Sequence, residues 1–232
     1  SKPTLRPGRF SGRTCASRPS FQVTKPDAAI VNADDFGFCA GVNEGIILAH
    51  REGILTSATL MANVPGFDQA VALARENPGL GVGVHLNIVR GRPVSDPARI
   101  PSAVGPDGRF WGSVYRIMRK HYARQIRPAE VEAEWRAQVE KVLRAGIVPT
   151  HIDSEKHMHA FPPYFRIALD VARAYKIGAV RFINERRLSL SPAQSVKTLF
   201  IAACCRSTRK VVRDRGIMTV DRFHGVSHSG RM

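Results

Sequence analysis

Residues 29–37 read Ala-Ile-Val-Asn-Ala-Asp-Asp-Phe-Gly. An apolar run of strand character stops at two adjacent carboxylates, Asp34 and Asp35, and then at Gly37, a turn former. Like charges side by side repel, and at the rim of a buried strand they also lose water. The pair therefore calls for a bound cation or a shared proton. The plainer alternative is a helix N-cap, because aspartate commonly caps a helix of the kind predicted over 38–50.

Outward from this stretch the chain alternates between two periods. Residues 41–53 have helical spacing, with Val42, Ile46, Ile47 and Ala49 on or near one face, and Gly53 ends the run. Thr56–Val64 reads as a second strand, Phe67–Arg75 as a helix closed by Asn77-Pro78-Gly79, and Leu80–Asn87 as a third strand. Gly91–Phe110, with four prolines and three glycines, reads as a loop covering part of a site. Val114–His121 and Pro128–Ala145 read as helices. The second carries a stripe of Val131, Trp135, Val139, Val142 and Leu143, with charges elsewhere, and this is core packing. A fourth strand at Pro149–Asp153, a helix at Pro162–Tyr175 and a fifth strand at Ala179–Ile183 follow. An apolar helical segment, Ser195–Cys205, then leads into a basic run. Short β and α units in alternation predict an α/β fold, a parallel sheet or a β/α barrel.

A chain of 232 residues can bury a substantial core, and one domain over 27–232 is expected. Residues 1–26 are rich in Arg, Lys, Ser and Pro, lack the apolar stretch of a secretory signal, and read as a disordered basic arm. No apolar run approaches the roughly 20 residues that cross a bilayer. The four cysteines, Cys15, Cys39, Cys204 and Cys205, form no C-x-x-C pair, which argues for a reducing, cytoplasmic setting without disulfides or a thiolate metal site. Lys and Arg outnumber Asp and Glu by 16 (35 against 19), but the excess is dispersed. With no zinc finger, RNP motif or helix-turn-helix to use it, specific nucleic-acid binding is not expected. Most of the charge reads as solvated surface, with attraction to an anionic membrane surface as the minority reading.

Two further segments bear on the aspartates. His85 lies near the end of the third strand, in Gly-Val-His-Leu-Asn. Residues 150–159 read Thr-His-Ile-Asp-Ser-Glu-Lys-His-Met-His. Alternation along an extended chain puts His151, Asp153 and Glu155 on one face, with His157 and His159 following if the extension persists. Three such groups on a buried strand have no comfortable structural explanation. In barrels, functional groups gather at the C-terminal ends of strands, where Asp34, Asp35, His85 and 151–155 fall. Carboxylate and imidazole together suit Zn, Mn, Fe, Co or Mg.

With these segments in view, the chain resembles the YdjC-like family of carbohydrate deacetylases. The resemblance rests on Ile-Val-Asn-Ala-Asp-Asp-Phe-Gly, Gly-Ile-Leu-Thr-Ser-Ala-Thr-Leu-Met-Ala-Asn, Gly-Val-Gly-Val-His-Leu-Asn and Pro-Thr-His-Ile-Asp-Ser-Glu-Lys-His-Met-His-Ala-Phe-Pro, in that order over about 29–232. It is most similar to the hopanoid-biosynthesis-associated branch, partly through the terminal Phe-His-Gly-Val-Ser-His-Ser-Gly-Arg-Met. The resemblance implies an irregular β/α barrel and metal-dependent removal of an N-acetyl group from a sugar or glycolipid, with Mg, Zn or Mn as the ion. By position it implies Asp34 as catalytic base and Asp35 and His85 as metal ligands. The family's third ligand is a histidine two residues after the Asp of Thr-His-x-Asp; here that position is Glu155, the preferred ligand, with His157 or His151 as substitutes or weak metal binding as the alternatives. His151, Asp153, His157, His159 and Arg181 are expected as supporting or substrate-binding groups. Family members continue past this point into a segment with a Cys-His-Pro-Gly motif, so a barrel shortened at its C-terminus is expected.

Two other functions compete. One is metal-independent glycoside hydrolysis by Asp34 and Asp153. The other is a catalytically impaired barrel that uses its charge to bind lipid or nucleic acid. Peripheral contact with the inner membrane surface and a homodimer complete the expected partners.

Overall fold

A computed structural model describes residues 29–185 and 192–226; the basic arm lies outside the described residues. The elements run β1 (Asn32–Phe36), α1 (Ala40–Arg51), β2 (Ser57–Leu60), α2 (Phe67–Glu76), β3 (Gly81–Leu86), α3 (Val114–Tyr122), α4 (Pro128–Arg144), β4 (His151–Ser154), α5 (Pro162–Ala174), β5 (Ala179–Val180) and α6 (Pro192–Asp214). The five strands form one parallel sheet in the order β1-β2-β3-β4-β5. Parallel neighbours need crossovers, and the intervening helices supply them. The chain is thus α/β, its consecutive strand order is that of a β/α barrel wall, and every strand's C-terminal end lies at one edge. After α6 the chain returns beside β5, where Met218 bridges Ala179 in parallel.

The sheet is buried on both faces, as parallel sheets are: β2 is buried throughout and β3 almost so. The α4 stripe behaves as the pattern predicts, with Val131, Trp135, Val139 and Val142 fully enclosed and Leu143 packed against them. Each such side chain contributes about 1.5–3 kcal/mol of transfer free energy. The remaining residues of α4 are not all solvated. Glu130, Glu134 and Gln138, one turn apart, are buried as well. Glu134 accepts from the backbone N–H groups of Val94 and Ser95, Gln138 exchanges bonds with the Asn87 backbone, and Glu130 accepts from Ser102. This row fixes the segment that leaves β3 and carries Arg90.

Several boundaries differ from expectation. β2 ends at Leu60 rather than Val64, β5 keeps two ladder residues, and α6 continues through the basic run to Asp214. Extension does not persist after Glu155. Residues 155–160 coil into a short helical turn, with Lys156 (φ 50°) and His157 (φ 58°) left-handed. His157 and His159 therefore leave the strand face.

Candidate metal centre

The paired aspartates are not helix caps: α1 begins after Cys39, whose side chain makes no capping bond. They lie inside β1, in an irregularity between Ala33 and Phe36, where Asp35 is left-handed (φ 64°). Aspartate is among the few residues that tolerate this conformation. Simple alternation would put neighbours on opposite faces; the irregularity turns both carboxylates toward the same cleft. Gly37 (φ 97°) completes the turn, and the buried Asn43 pins it by accepting from the Gly37 N–H at 2.7 Å.

His85 on β3 stands directly across from Asp153 on β4. Its Nδ1 lies 2.7 Å from Asp153 Oδ1 and 3.2 Å from Thr59 Oγ1, so Nδ1 carries the proton shared with the carboxylate. Nε2 then points at Asp35 Oδ1 (3.7 Å) and Glu155 Oε2 (3.6 Å). These three atoms define a candidate metal triad, Asp35, His85 and Glu155. Asp35 Oδ1 is buried without a hydrogen-bond partner. Glu155 uses its other oxygen, Oε1, to accept from Arg90 Nη2 at 2.5 Å.

Asp34, His85 and Asp153 are also mutually close, but there the positive charge is already present. Arg181 donates to Asp34 through Nη1 (2.9 Å) and Nη2 (2.6 Å), and Nη2 also lies 2.6 Å from Asp153 Oδ2. Asn32 donates to Asp34 Oδ1 at 2.9 Å, and Thr59 to Asp153 Oδ2 at 3.1 Å.

The electrostatics follow this division. Burial and the Asp153 charge raise the Asp34 pKa, yet Arg181 outweighs them and holds it below the ordinary value. Asp35 is raised, first by burial and then by Glu155. Burial opposes ionisation of Glu155, but His85, Arg90 and Lys156 bring it down to about 2. Asp153 is lowered against its complete burial by Arg181 and His85. Burial pulls His85 down, but Asp153 and Glu155 push it up to about 10. The surrounding carboxylates thus favour positive charge on His85.

The other anticipated residues surround this core. The His151 ring lies over Gly83, close to Thr150 Oγ1 (2.8 Å), and burial lowers its pKa. His159 is fully enclosed: Nδ1 lies 2.6 Å from Ser154 Oγ and Nε2 donates to the Arg181 carbonyl at 3.0 Å, so both ring nitrogens are used within the fold. His157 packs 6.3 Å from the Phe223 ring with Nδ1 unpartnered, and burial and then the Arg181 charge push it down to about 3. Neither His151, His157 nor His159 belongs to the triad. Asn32, Thr59 and Arg90 were missed from the sequence. Period-2 spacing from Asp34 points to Asn32 on β1, but no local pattern marks Thr59 or Arg90. A hollow of about 540 Å³ lies beside the segments leaving β2 and β3, lined by Asn63, Pro65, Gly91, Arg92, Arg109 and Lys141 among others.

A family model described as YdjC-like protein matches residues 28–232. A carbohydrate deacetylase of Brevibacillus brevis is 49% identical over 148 residues, covering 64% of this chain and 56% of that protein. A carbohydrate deacetylase of Geobacillus stearothermophilus is 41% identical over 165 residues, covering 70% and 64% respectively. The chain thus spans less than two thirds of the length of these curated relatives. A crystal structure from Enterococcus faecalis, of a protein provisionally named for cellobiose-phosphate cleavage, superposes with a TM-score of 0.67 at 29% identity. That match covers 86% of this chain and 70% of the other.

Proposed function

The chain belongs to the YdjC-like protein family, and from that membership we propose that it is a metal-dependent hydrolase removing the acetyl group of an N-acetylated amino sugar. The relatives named carbohydrate deacetylase support the reaction class. The observation that carries the reading is the meeting of Asp35 Oδ1, His85 Nε2 and Glu155 Oε2 beside the ionised Asp34.

The donor set fits a divalent ion. Ligands about 2.0–2.2 Å from a tetrahedral ion sit about 3.4 Å apart, close to the 3.6 and 3.7 Å between His85 Nε2 and the two carboxylates. One imidazole and two carboxylates suit Zn, Mn, Co, Fe or Mg, and Asp35 Oδ1, buried without a hydrogen-bond partner, has a lone pair to offer such an ion.

Such an ion, when bound, polarises the acetamide carbonyl and acidifies a water molecule beside it. Asp34, kept ionised by Arg181 and aimed by Asn32, takes the proton as the water oxygen bonds to the carbonyl carbon. The proton on Asp34 then passes to the amine nitrogen as the C–N bond breaks, and the acyl group leaves as acetic acid, which gives up its remaining proton to water. Asp153 and Thr59 hold His85 in the tautomer that leaves Nε2 free. The glycosidase reading finds less support, since Asp153 is fully enclosed and bonded to His85, Thr59 and Arg181.

We further infer a hopanoid-linked N-acetylglucosamine as the substrate, met at an anionic membrane surface. Exposed Val196, Leu199 and Phe200, at i, i+3 and i+4 of α6, precede exposed Arg206, Arg209 and Lys210 and support such contact. No helix among the described residues is long and apolar enough to cross a membrane.

The test is acetate release from N-acetylglucosaminyl substrates with and without chelator, together with Asp34→Asn. Activity falls in chelator, and by about 10²–10⁴-fold in the variant, while the variant's metal affinity stays within threefold. Full activity of metal-stripped protein or of Asp34→Asn overturns the assignment.

A further inference from the structure

Arg90 enters the metal centre from a segment with no role in the reaction derived above. Its Nη2 lies 2.5 Å from Glu155 Oε1 and 3.9 Å from Asp35 Oδ1. The residue is tethered at both ends. Its carbonyl accepts from Asn87 Nδ2 (2.8 Å) and Asn63 Nδ2 (3.3 Å), and its guanidinium lies 5.0 Å from the Phe38 ring centroid. Glu155 is 3% exposed at the side chain and Arg90 37%, so solvent reaches the pair only from the Arg90 side. Lys156 also approaches Oε1, at 3.4 Å, but its side chain is 56% exposed and its charge is shared with water.

The two oxygens of Glu155 therefore have different duties. Oε1 is satisfied by a fixed guanidinium, and that bond aims Oε2 at the ion position beside His85 Nε2. Arg90 also cancels one of the two carboxylate charges of the triad. Glu155 and Arg90 together present to a divalent ion what a neutral nitrogen ligand presents: one aimed lone pair and no net charge. We propose that Arg90 is a positioning and specificity residue of the metal centre, coupled to Glu155 as a single ligand unit. The pair favours borderline ions such as Zn²⁺ over hard, charge-seeking ions such as Mg²⁺. This inference rests on the metal-centre reading above.

A double-mutant cycle on ion binding tests it without reference to catalysis. Dissociation constants for Zn²⁺ and Mg²⁺ are measured by competition with a chromogenic chelator for wild type, R90Q, E155H and E155H/R90Q. R90Q, which frees the second carboxylate charge, shifts the Mg²⁺/Zn²⁺ preference at least tenfold toward Mg²⁺. E155H leaves Arg90 uncompensated beside the ion, so adding R90Q in that background tightens Zn²⁺ binding at least tenfold. In the Glu155 background R90Q leaves Zn²⁺ affinity unchanged or weaker, and R90K stays within threefold of wild type. If E155H does not fold, E155Q and E155Q/R90Q close the same cycle. Zn²⁺ constants that combine multiplicatively within threefold, in a protein that does bind one ion, overturn the Arg90 assignment alone. A wild-type protein that binds neither ion overturns the metal centre itself.

Discussion

Nδ1 of His85 lies 2.7 Å from Oδ1 of Asp153, its direct cross-strand partner, and this contact decides which ring nitrogen faces the cleft. Because β3 and β4 run parallel in that register, the sheet itself aligns carboxylate and imidazole. Groups that orient a ligand in this way are worth about 10–100-fold in metal affinity. Asp153→Asn offers an amide where the carboxylate stood and leaves Arg181 with one partner fewer. Metal affinity is expected to fall at least tenfold, measured by chelator competition; unchanged affinity refutes the orienting role.

Gly83 is where His151 needs space. A Cβ at this position falls 2.6–2.7 Å from three atoms of the His151 ring. The ring must move, and Gly83→Ala is expected to lose about 1–2 kcal/mol by denaturant unfolding, as overpacking does. The loss should largely disappear in His151→Ala. Equal losses in both backgrounds mean that the clash is not the cause.

His159 predicts a pH dependence. Burial holds its folded pKa down to about 4, below the ordinary value of about 6.5. Between these values the unfolded chain binds a proton that the folded chain does not, so stability rises with pH across that window. It is complete above about pH 6.5 and is lost as the pH falls toward 4, by on the order of 1–3 kcal/mol. His159→Gln lowers stability at neutral pH and flattens this slope. An unchanged slope between pH 4 and 6.5 excludes His159 as its source.

Much of the fold was legible along the chain because period and punctuation are local. The glycine-bounded Gly-Val-Gly-Val-His-Leu segment and the α4 stripe each announce their element, whereas the apolar run at 29–31 lies just before β1, which is Asn32–Phe36. Strand ends were less legible. Thr56–Val64 has strand composition throughout, yet the ladder closes at Leu60, opposite Phe36, the last residue of β1. The burial of Glu130, Glu134 and Gln138 was not legible, because only the loop folding over α4 supplies their donors.

By itself the sequence pointed to the candidate residues: Asp34, Asp35, His85 and the 151–159 segment are ionisable groups on or beside the expected strands, and that much is composition and spacing. Tertiary structure alone decided their division of labour. The left-handed Asp35 turns two neighbouring acids into one cleft, left-handed Lys156 and His157 draw the chain away after Glu155, and Arg181 and Arg90 arrive from distant segments to claim Asp34 and Glu155. The reason is physical. A carboxylate's role depends on which cation reaches it in a low-dielectric cleft, and that cation's position is set by packing far away in the chain.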